Sequence, residues 1–268
     1  MEGDKPGGLR RIVREVGDSL STFFRYFGSV VLFFFRILVD LPYALARPGL
    51  IIKQVYVTGV QSLVVIMLAG FFVGMVLALQ SFSTLVRFGA EETIGMVVAL
   101  GLARELGPVV TALLFAGRAG TALSSEIGLM RATDQLSGME MMAVDPIKRV
   151  IVPRFLGGVI AVPLLTAIFS GIGIFGAWLE AVIVLGVDEG AFWSQMQAQV
   201  DLREDVVSGI IKSFFFGIAA SLLAVYEGYN CVPTAEGVGR ATTRAVVNTS
   251  LTVLVLNFML TAWLLGGN

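Results

Sequence analysis

The chain has 268 residues, of which 56% are hydrophobic and 15% charged, with a formal net charge of −1. Soluble domains usually contain about 45–50% apolar and about 25% charged residues, so the composition indicates an integral membrane protein. The single cysteine excludes an internal disulfide, and the absence of histidine excludes histidine metal ligands and histidine bases. No G-x-x-x-x-G-K-[ST] motif occurs, which excludes a P-loop nucleotide site. We therefore expect no metal, no catalytic residue and no nucleic-acid partner.

The first predicted element is an amphipathic helix over residues 9–38. Its apolar residues recur at helical spacing between arginines, which is typical of a helix lying in the membrane interface. The apolar run Phe27–Phe35 is short and ends at Arg36, so a re-entrant or spanning sixth segment is the alternative. Ala44-Leu45-Ala46 resembles a signal-peptidase site, but the same arginine interrupts the stretch before it, and we expect no cleavage.

Five long apolar segments follow. Roughly 20 apolar residues suffice to cross a bilayer, and only a helix satisfies its own backbone polar groups in lipid. The predicted fold class is thus an all-α integral membrane protein, with an N-terminal interfacial helix before five transmembrane helices. We expect one domain over 1–268, made of an interfacial region at 1–54 and a five-helix bundle at 55–268. The segments are Val55–Gln80, Ile94–Gly117, Phe155–Leu179, Val206–Tyr226 and Ala245–Leu265.

The positive charges indicate an orientation. The region up to Lys53 holds eight of the nineteen lysines and arginines, and most others lie between the second and third or the fourth and fifth segments. The two remaining connections are mainly acidic. Because positive loops stay inside, we expect a cytoplasmic N-terminus and a C-terminus on the opposite side.

Charged residues within the apolar segments are the candidate functional residues. Arg104 and Glu105 lie near the middle of the second segment, where a charge costs at least about 2.5–3.5 kcal/mol on insertion scales. The pair either locks two helices together or forms a polar site on a transport path. Lys212 either extends to the outer surface or faces the same cavity. Gly70 and Gly74 form a G-x-x-x-G motif, which suits packing within the chain or a dimer seam.

The loop between the second and third segments contains a predicted short helix. Thr133 is a plausible N-cap, and Leu136 and Met139 recur at helical spacing until Asp145-Pro146 ends the helix. A Met-rich amphipathic helix can dock into a groove on another protein. Lying on the membrane surface is the alternative.

Four ordered blocks of the sequence stand out, at Arg104–Pro108, Ala116–Arg118, Glu126–Leu136 and Met142–Pro146. Together they resemble the MlaE family. Its members are permease subunits of bacterial ABC transporters that handle phospholipids between the two membranes of a Gram-negative envelope. The similarity runs from about Ile51 to the C-terminus. Where many members carry Glu-Gln-Ile-Asp-Ala-Leu, this chain has Asp-Gln-Leu-Ser-Gly-Met at 134–139.

The resemblance implies partners and site residues. A separate MlaF-type ATPase would bind ATP and Mg, with an MlaB-type STAS protein attached to it. Two copies of the chain would form a homodimer in the bacterial inner membrane, below a periplasmic MlaD-type MCE hexamer, and would maintain outer-membrane lipid asymmetry. Phospholipid would contact Leu77, Gln80, Arg104, Glu105, Leu106 and Lys212. The ATPase would contact a coupling helix and its flank through Glu126, Arg131, Thr133, Asp134, Gln135, Leu136, Met139 and Glu140.

Two other function classes compete with this interpretation. An ion-coupled secondary transporter would normally show internal repeats and broken helices at the midplane, and five spans do not divide into two halves. The other class is an intramembrane enzyme or a passive scaffold. An enzyme would need a catalytic arrangement such as a Ser/His pair, paired Asp residues or H-E-x-x-H, none of which occurs in the spans. Copurification with an ATPase subunit would separate the permease from both.

Overall fold

The computed structural model describes residues 8–266, apart from the side chains of 8–16, 18–20, 23, 202 and 265–266. Every regular element within this range is helical. The α-helices are α1 (Gly8–Leu45), α2 (Pro48–Gly59), α3 (Leu63–Leu85), α4 (Ile94–Gly101), α5 (Gly107–Phe115), α6 (Thr121–Ala132), α7 (Gln135–Met141), α8 (Val152–Trp178), α9 (Glu189–Gln199), α10 (Val207–Tyr229) and α11 (Ala235–Gly266). Wide π-helical turns at Leu102–Leu106 and Ala116–Gly120 join α4, α5 and α6 into one rod. Three further π-helical turns extend the start of α8, the end of α8 and the start of α10, at Ile147–Ile151, Leu179–Val184 and Leu202–Val206.

Six helical stretches of the described chain are long and apolar enough to cross a membrane. The protein is therefore an all-α, multi-pass membrane protein. Five stretches cover the predicted segments, except for Leu265 at the end of the last one, and most extend well beyond them because hydropathy marks only the apolar centre of a helix. The sixth is the second half of α1, where the helix continues past the exposed Arg36 and beyond the predicted end at residue 38. The stretches are Phe24–Leu45, Pro48–Phe88, Glu91–Ala132, Ile147–Val184, Arg203–Tyr229 and Ala235–Leu264.

Helix α1 contacts one end of the bundle. The Tyr26 hydroxyl donates to Glu227 Oε1 at 2.7 Å, near the end of α10. Further along α1, Asp40 pairs with Lys148 at 3.5 Å, just before α8 begins. Both contacts lie toward the loops that are rich in lysine and arginine. Apolar packing extends the same contact zone, with Val30, Phe33, Ile37 and Ala44 clustering with Ile147, Ile151, Phe155 and Tyr226.

Helix α8 is the centre of the bundle, and α2, α3, α5 and α10 pack around it. Small residues allow the closest of these approaches. A Cβ atom added at Gly70 would lie 2.8 Å from the carbonyl oxygen of Phe169, and one added at Gly74 would overlap the carbonyl of Gly173. The G-x-x-x-G motif of α3 therefore serves packing within the chain. Large apolar side chains such as Phe72 and Phe258 remain exposed, as expected for helices that face lipid.

Candidate functional site

The rod formed by α4, α5 and α6 carries Arg104 and Glu105 in the π-helical turn at Leu102–Leu106. Pro108 follows that turn and has no amide hydrogen, so it cannot donate to the carbonyl of Arg104 as a regular helix requires. A buried carbonyl needs another donor. Lys212 supplies it, with its Nζ atom 3.1 Å from the Arg104 oxygen.

The close approach of α10 places Lys212 there. Gly209 makes this approach possible, because a Cβ atom at that position would overlap the carbonyl of Ala103. The Lys212 ammonium is only 2% exposed and lies 2.5 Å from Glu105 Oε1. It also donates to the Thr261 hydroxyl of α11 at 2.8 Å. The buried lysine is thus fully hydrogen-bonded, and its contacts connect three of the candidate spans.

Arg104 has a different partner. Its Nε and one terminal nitrogen both donate to Oδ1 of Asp205, in the turn before α10. Asp205 is 1% exposed, and its second oxygen accepts from the backbone amide of Asp201 at 2.8 Å. The Arg104 side chain is 41% exposed. Asp205 therefore fixes one edge of the guanidinium, and the rest of that group stays accessible.

These charged groups line a cavity of about 290 Å³. It lies among the π-helical turn, the start of α10 and the end of α11. Charged side chains meet apolar ones in this lining, as a site for an amphipathic molecule requires. The lining residues are Arg104, Glu105, Arg203, Glu204, Val207, Ser208, Ile211, Lys212, Thr261 and Leu264.

The structure brings together three of the six residues predicted for the substrate site. Arg104, Glu105 and Lys212 meet, and the burial of Lys212 is inconsistent with a side chain that extends to the outer surface. The other three do not line the cavity. Leu77 and Leu106 pack within the apolar cluster around α8, and Gln80 is exposed on α3.

The sequence analysis missed the other seven lining residues of the cavity, and it also missed Asp205, the partner of Arg104. Asp205 belongs to an acidic loop that served only to predict orientation, and its position directly before the fourth apolar segment was the available signal. Thr261 is one hydroxyl in a long apolar segment, and nothing in the sequence separates it from other threonines. Among the side chains that the structure describes, no three Cys, Asp or Glu residues lie close enough together to hold a metal ion.

The segment predicted to couple to an ATPase divides into two helices. Glu126 and Arg131 belong to α6, and both are held within the chain. Glu126 pairs with Arg154 at 3.3 Å, and Arg131 donates to the carbonyl of Tyr229 at 2.5 Å. Besides Glu126, the exposed polar residues of the predicted contact surface are Thr133, Asp134, Gln135 and Glu140.

One detail of the predicted coupling helix, its N-cap, is wrong. Thr133 is not its N-cap, because its hydroxyl donates back to Leu129 and Asp134 takes a left-handed conformation (φ 55°) before α7. Leu136 is only 5% exposed, and Met139 packs beside the cluster that holds α1. The apolar face of α7 is therefore turned toward the bundle. The apolar side chains exposed at its end are Met141, Met142 and Val144, at 85%, 70% and 40%.

Comparison with known proteins places the chain in a family. The family model for the permease MlaE matches residues 51–263, from α2 to the end of α11. The chain belongs to the MlaE permease family. The match begins after the end of α1, so the family model does not cover this helix.

Curated relatives of this MlaE-family chain occur in several groups of organisms. The intermembrane phospholipid transport system permease protein MlaE of Haemophilus influenzae is 52% identical, over 95% of this chain and 97% of the relative. A probable ABC transporter permease protein of Rickettsia felis is 38% identical over 94% and 97%. The chloroplastic protein TRIGALACTOSYLDIACYLGLYCEROL 1 of Arabidopsis thaliana is 34% identical over 81% of this chain and 61% of the plant protein.

Proposed function

We propose that this chain is the permease subunit of an ABC transporter that moves phospholipids between the inner and outer membranes of a Gram-negative cell. The observation that supports this most is the cavity where Arg104, Glu105 and Lys212 meet between apolar helices. The transport system of the Haemophilus influenzae relative is named for phospholipids. A lipid needs both kinds of surface that the cavity offers, polar for the head group and apolar for the chains.

The charged residues have separate roles in this proposal. Arg104 binds the lipid phosphate, because a guanidinium makes paired hydrogen bonds to phosphate oxygens and part of this one is accessible. Asp205 keeps the guanidinium in place. Lys212 and Glu105 hold α10 and α11 against the π-helical turn, and Glu105, at 39% exposed, also reaches the cavity. Ile211 and Leu264 contact the acyl chains near the head group.

The chain has no P-loop of its own, so a separate cytoplasmic subunit of the MlaF type binds ATP and Mg and hydrolyses the nucleotide. An MlaB-type STAS protein joins that subunit, and an MlaD-type MCE hexamer covers the periplasmic side. Two copies of the chain form a homodimer in the inner membrane. The N-terminus is cytoplasmic and the C-terminus periplasmic, which agrees with the distribution of lysine and arginine.

The ATPase contacts the exposed end of α7 in this assembly. Because Leu136 is buried, we assign the apolar part of the contact to Met141 and Met142 and the polar part to Asp134, Gln135 and Glu140. Met139 and Leu136 then transmit the motion to the bundle, since Met139 packs against the cluster at its cytoplasmic end and Leu136 is buried within the chain. This division of roles follows from which side of α7 faces the chain.

Helix α1 lies at the inner-leaflet interface. Its described contacts all fall at the bundle end that carries the lysine- and arginine-rich loops, whereas a spanning helix would contact both ends. Its basic residues then meet anionic head groups, each contributing about 1 kcal/mol near the surface. The exposed Phe24, Phe27 and Phe35 lie at the acyl boundary.

Site-specific photocrosslinking tests the lipid site. A photoreactive residue replaces Ile211, which lines the cavity, or Phe72, which is exposed on α3 outside it. We expect phospholipid capture at both positions, but only capture at the cavity position should fall when Arg104→Ala is added. Capture of protein alone at the cavity position, or lipid capture that ignores Arg104→Ala, would contradict the proposal.

A further inference from the structure

Two adjacent charged residues at the mouth of the cavity have no role in the account above. Arg203 and Glu204 belong to the turn at Leu202–Val206, are exposed, and line the cavity next to Arg104. Within the described part of the chain, neither side chain forms an ion pair. They are therefore a free cation and a free carboxylate at the entrance of a membrane-embedded site.

The deeper charges of the cavity are already neutralised in pairs. Arg104 faces Asp205, and Lys212 faces Glu105. The cavity therefore presents no excess of positive charge to an incoming head group. At its mouth, the cavity adds one positive charge from Arg203 and one negative charge from Glu204.

We infer that Arg203 and Glu204 select zwitterionic lipids whose head group ends in a primary ammonium, as in phosphatidylethanolamine. The inference rests on the proposed function, because it assumes that the head group lies in this cavity. The lipid phosphate pairs with Arg203 beside Arg104, and the ammonium donates to the Glu204 carboxylate. A primary ammonium carries three hydrogen-bond donors, as a lysine side chain does.

The same arrangement disfavours other head groups for stated chemical reasons. Phosphatidylglycerol has no cation, so its net negative charge enters beside a carboxylate that stays unpaired, and like charges repel. Phosphatidylcholine has a quaternary ammonium without N–H donors, so it cannot form the hydrogen bond to Glu204. The expected order of preference is ethanolamine first, then choline, then glycerol.

Identification of the captured lipid tests this inference. The complete transport complex, with the photoreactive residue at 211, is reconstituted in nanodiscs with equal amounts of the three lipids. Mass spectrometry then measures the head groups crosslinked at the cavity. We expect Glu204→Gln to lower the ratio of ethanolamine to glycerol lipid by up to about fivefold, the discrimination that one exposed ion pair supplies. Arg203→Gln should lower capture of all three lipids alike, because each has a phosphate.

A matched control and a separate readout complete the design. Glu189→Gln neutralises an exposed acid on α9 that does not line the cavity, and should leave the ratios unchanged. Unchanged ratios with Glu204→Gln, or a loss of partner subunits in place of a changed ratio, overturn the inference. The proposed function is tested separately by total capture, which must fall with Arg104→Ala. The head-group inference can therefore fail while the lipid site stands.

Discussion

Removing either partner of the Lys212–Glu105 pair should destabilise the chain by clearly different amounts. Glu105→Gln leaves an ammonium that is 2% exposed with only the Arg104 carbonyl and the Thr261 hydroxyl as partners. Leaving a buried charge without its counter-ion costs about 3–5 kcal/mol. Lys212→Met leaves a carboxylate that is 39% exposed and can be hydrated through the cavity, at a cost of about 1–3 kcal/mol.

The double variant decides between this reasoning and simple loss of packing. With both charges removed, no buried ion remains, so the double variant should be more stable than Glu105→Gln alone. The coupling energy should be about 2–3 kcal/mol, compared with at most about 0.5 kcal/mol for the exposed pair Glu236–Arg240, which serves as control.

Thermal unfolding of the purified chain in detergent measures these differences. At about 2–4 °C per kcal/mol for a chain of this size, Glu105→Gln should lower the midpoint by roughly 6–20 °C. Lys212→Met should lower it by roughly half as much or less. The reasoning fails if Lys212→Met proves the more destabilising change, or if the double variant is no more stable than Glu105→Gln.

Four further predictions concern other parts of the chain. Gly209→Val should push α10 away from the carbonyl of Ala103, and should abolish both lipid capture at the cavity and transport. Gel filtration of the assembled complex is the control for folding. Truncating Met141 and Met142 to alanine should release the ATPase, because losing a hot-spot contact costs about 2–4 kcal/mol of binding free energy. A pull-down of the ATPase measures this, and an unchanged yield would exclude α7 as the contact. Burial raises the pKa of the Cys231 thiol more than nearby arginines lower it, so less thiolate forms at any pH below that pKa. Alkylation of the folded chain at pH 8 should be slow and should accelerate on denaturation or at higher pH. Finally, in a variant that carries both Gly17→Cys and Cys231→Ser, the cysteine at position 17 should resist labelling by an impermeant maleimide in intact cells. Rapid labelling would mean that α1 crosses the membrane.

Much of the fold could be predicted because lipid leaves the backbone few choices. The five apolar segments are all helical, and the convergence of Arg104, Glu105 and Lys212 follows from the cost of leaving charges unpaired among apolar helices. The helix ends could not be predicted in the same way. Helix α11 begins at Ala235, well before its apolar run, because a helix continues through polar residues that extend beyond the membrane.

The missing parts of the site depend on tertiary contacts. Asp205 becomes the partner of Arg104 only because the turn before α10 packs beside the π-helical turn, and sequence spacing does not show this. Helical periodicity likewise predicted an apolar face on α7, but it could not show whether this face packs against the chain itself or against another protein. The structure turns Leu136 toward its own chain and leaves Met141 exposed.

The wide turn at Leu102–Leu106 makes the site depend on the number of residues in the helix as well as on their identity. Each residue of a regular helix advances by about 100°, so deleting one residue from this turn would rotate α5 and α6 by that angle relative to α4. Arg104 and Glu105 could both be retained, yet they would no longer face Lys212. A length change of one residue in this rod should thus inactivate the protein without altering a single side chain of its cavity. In-frame single-codon deletions are therefore expected to be more damaging here than most substitutions.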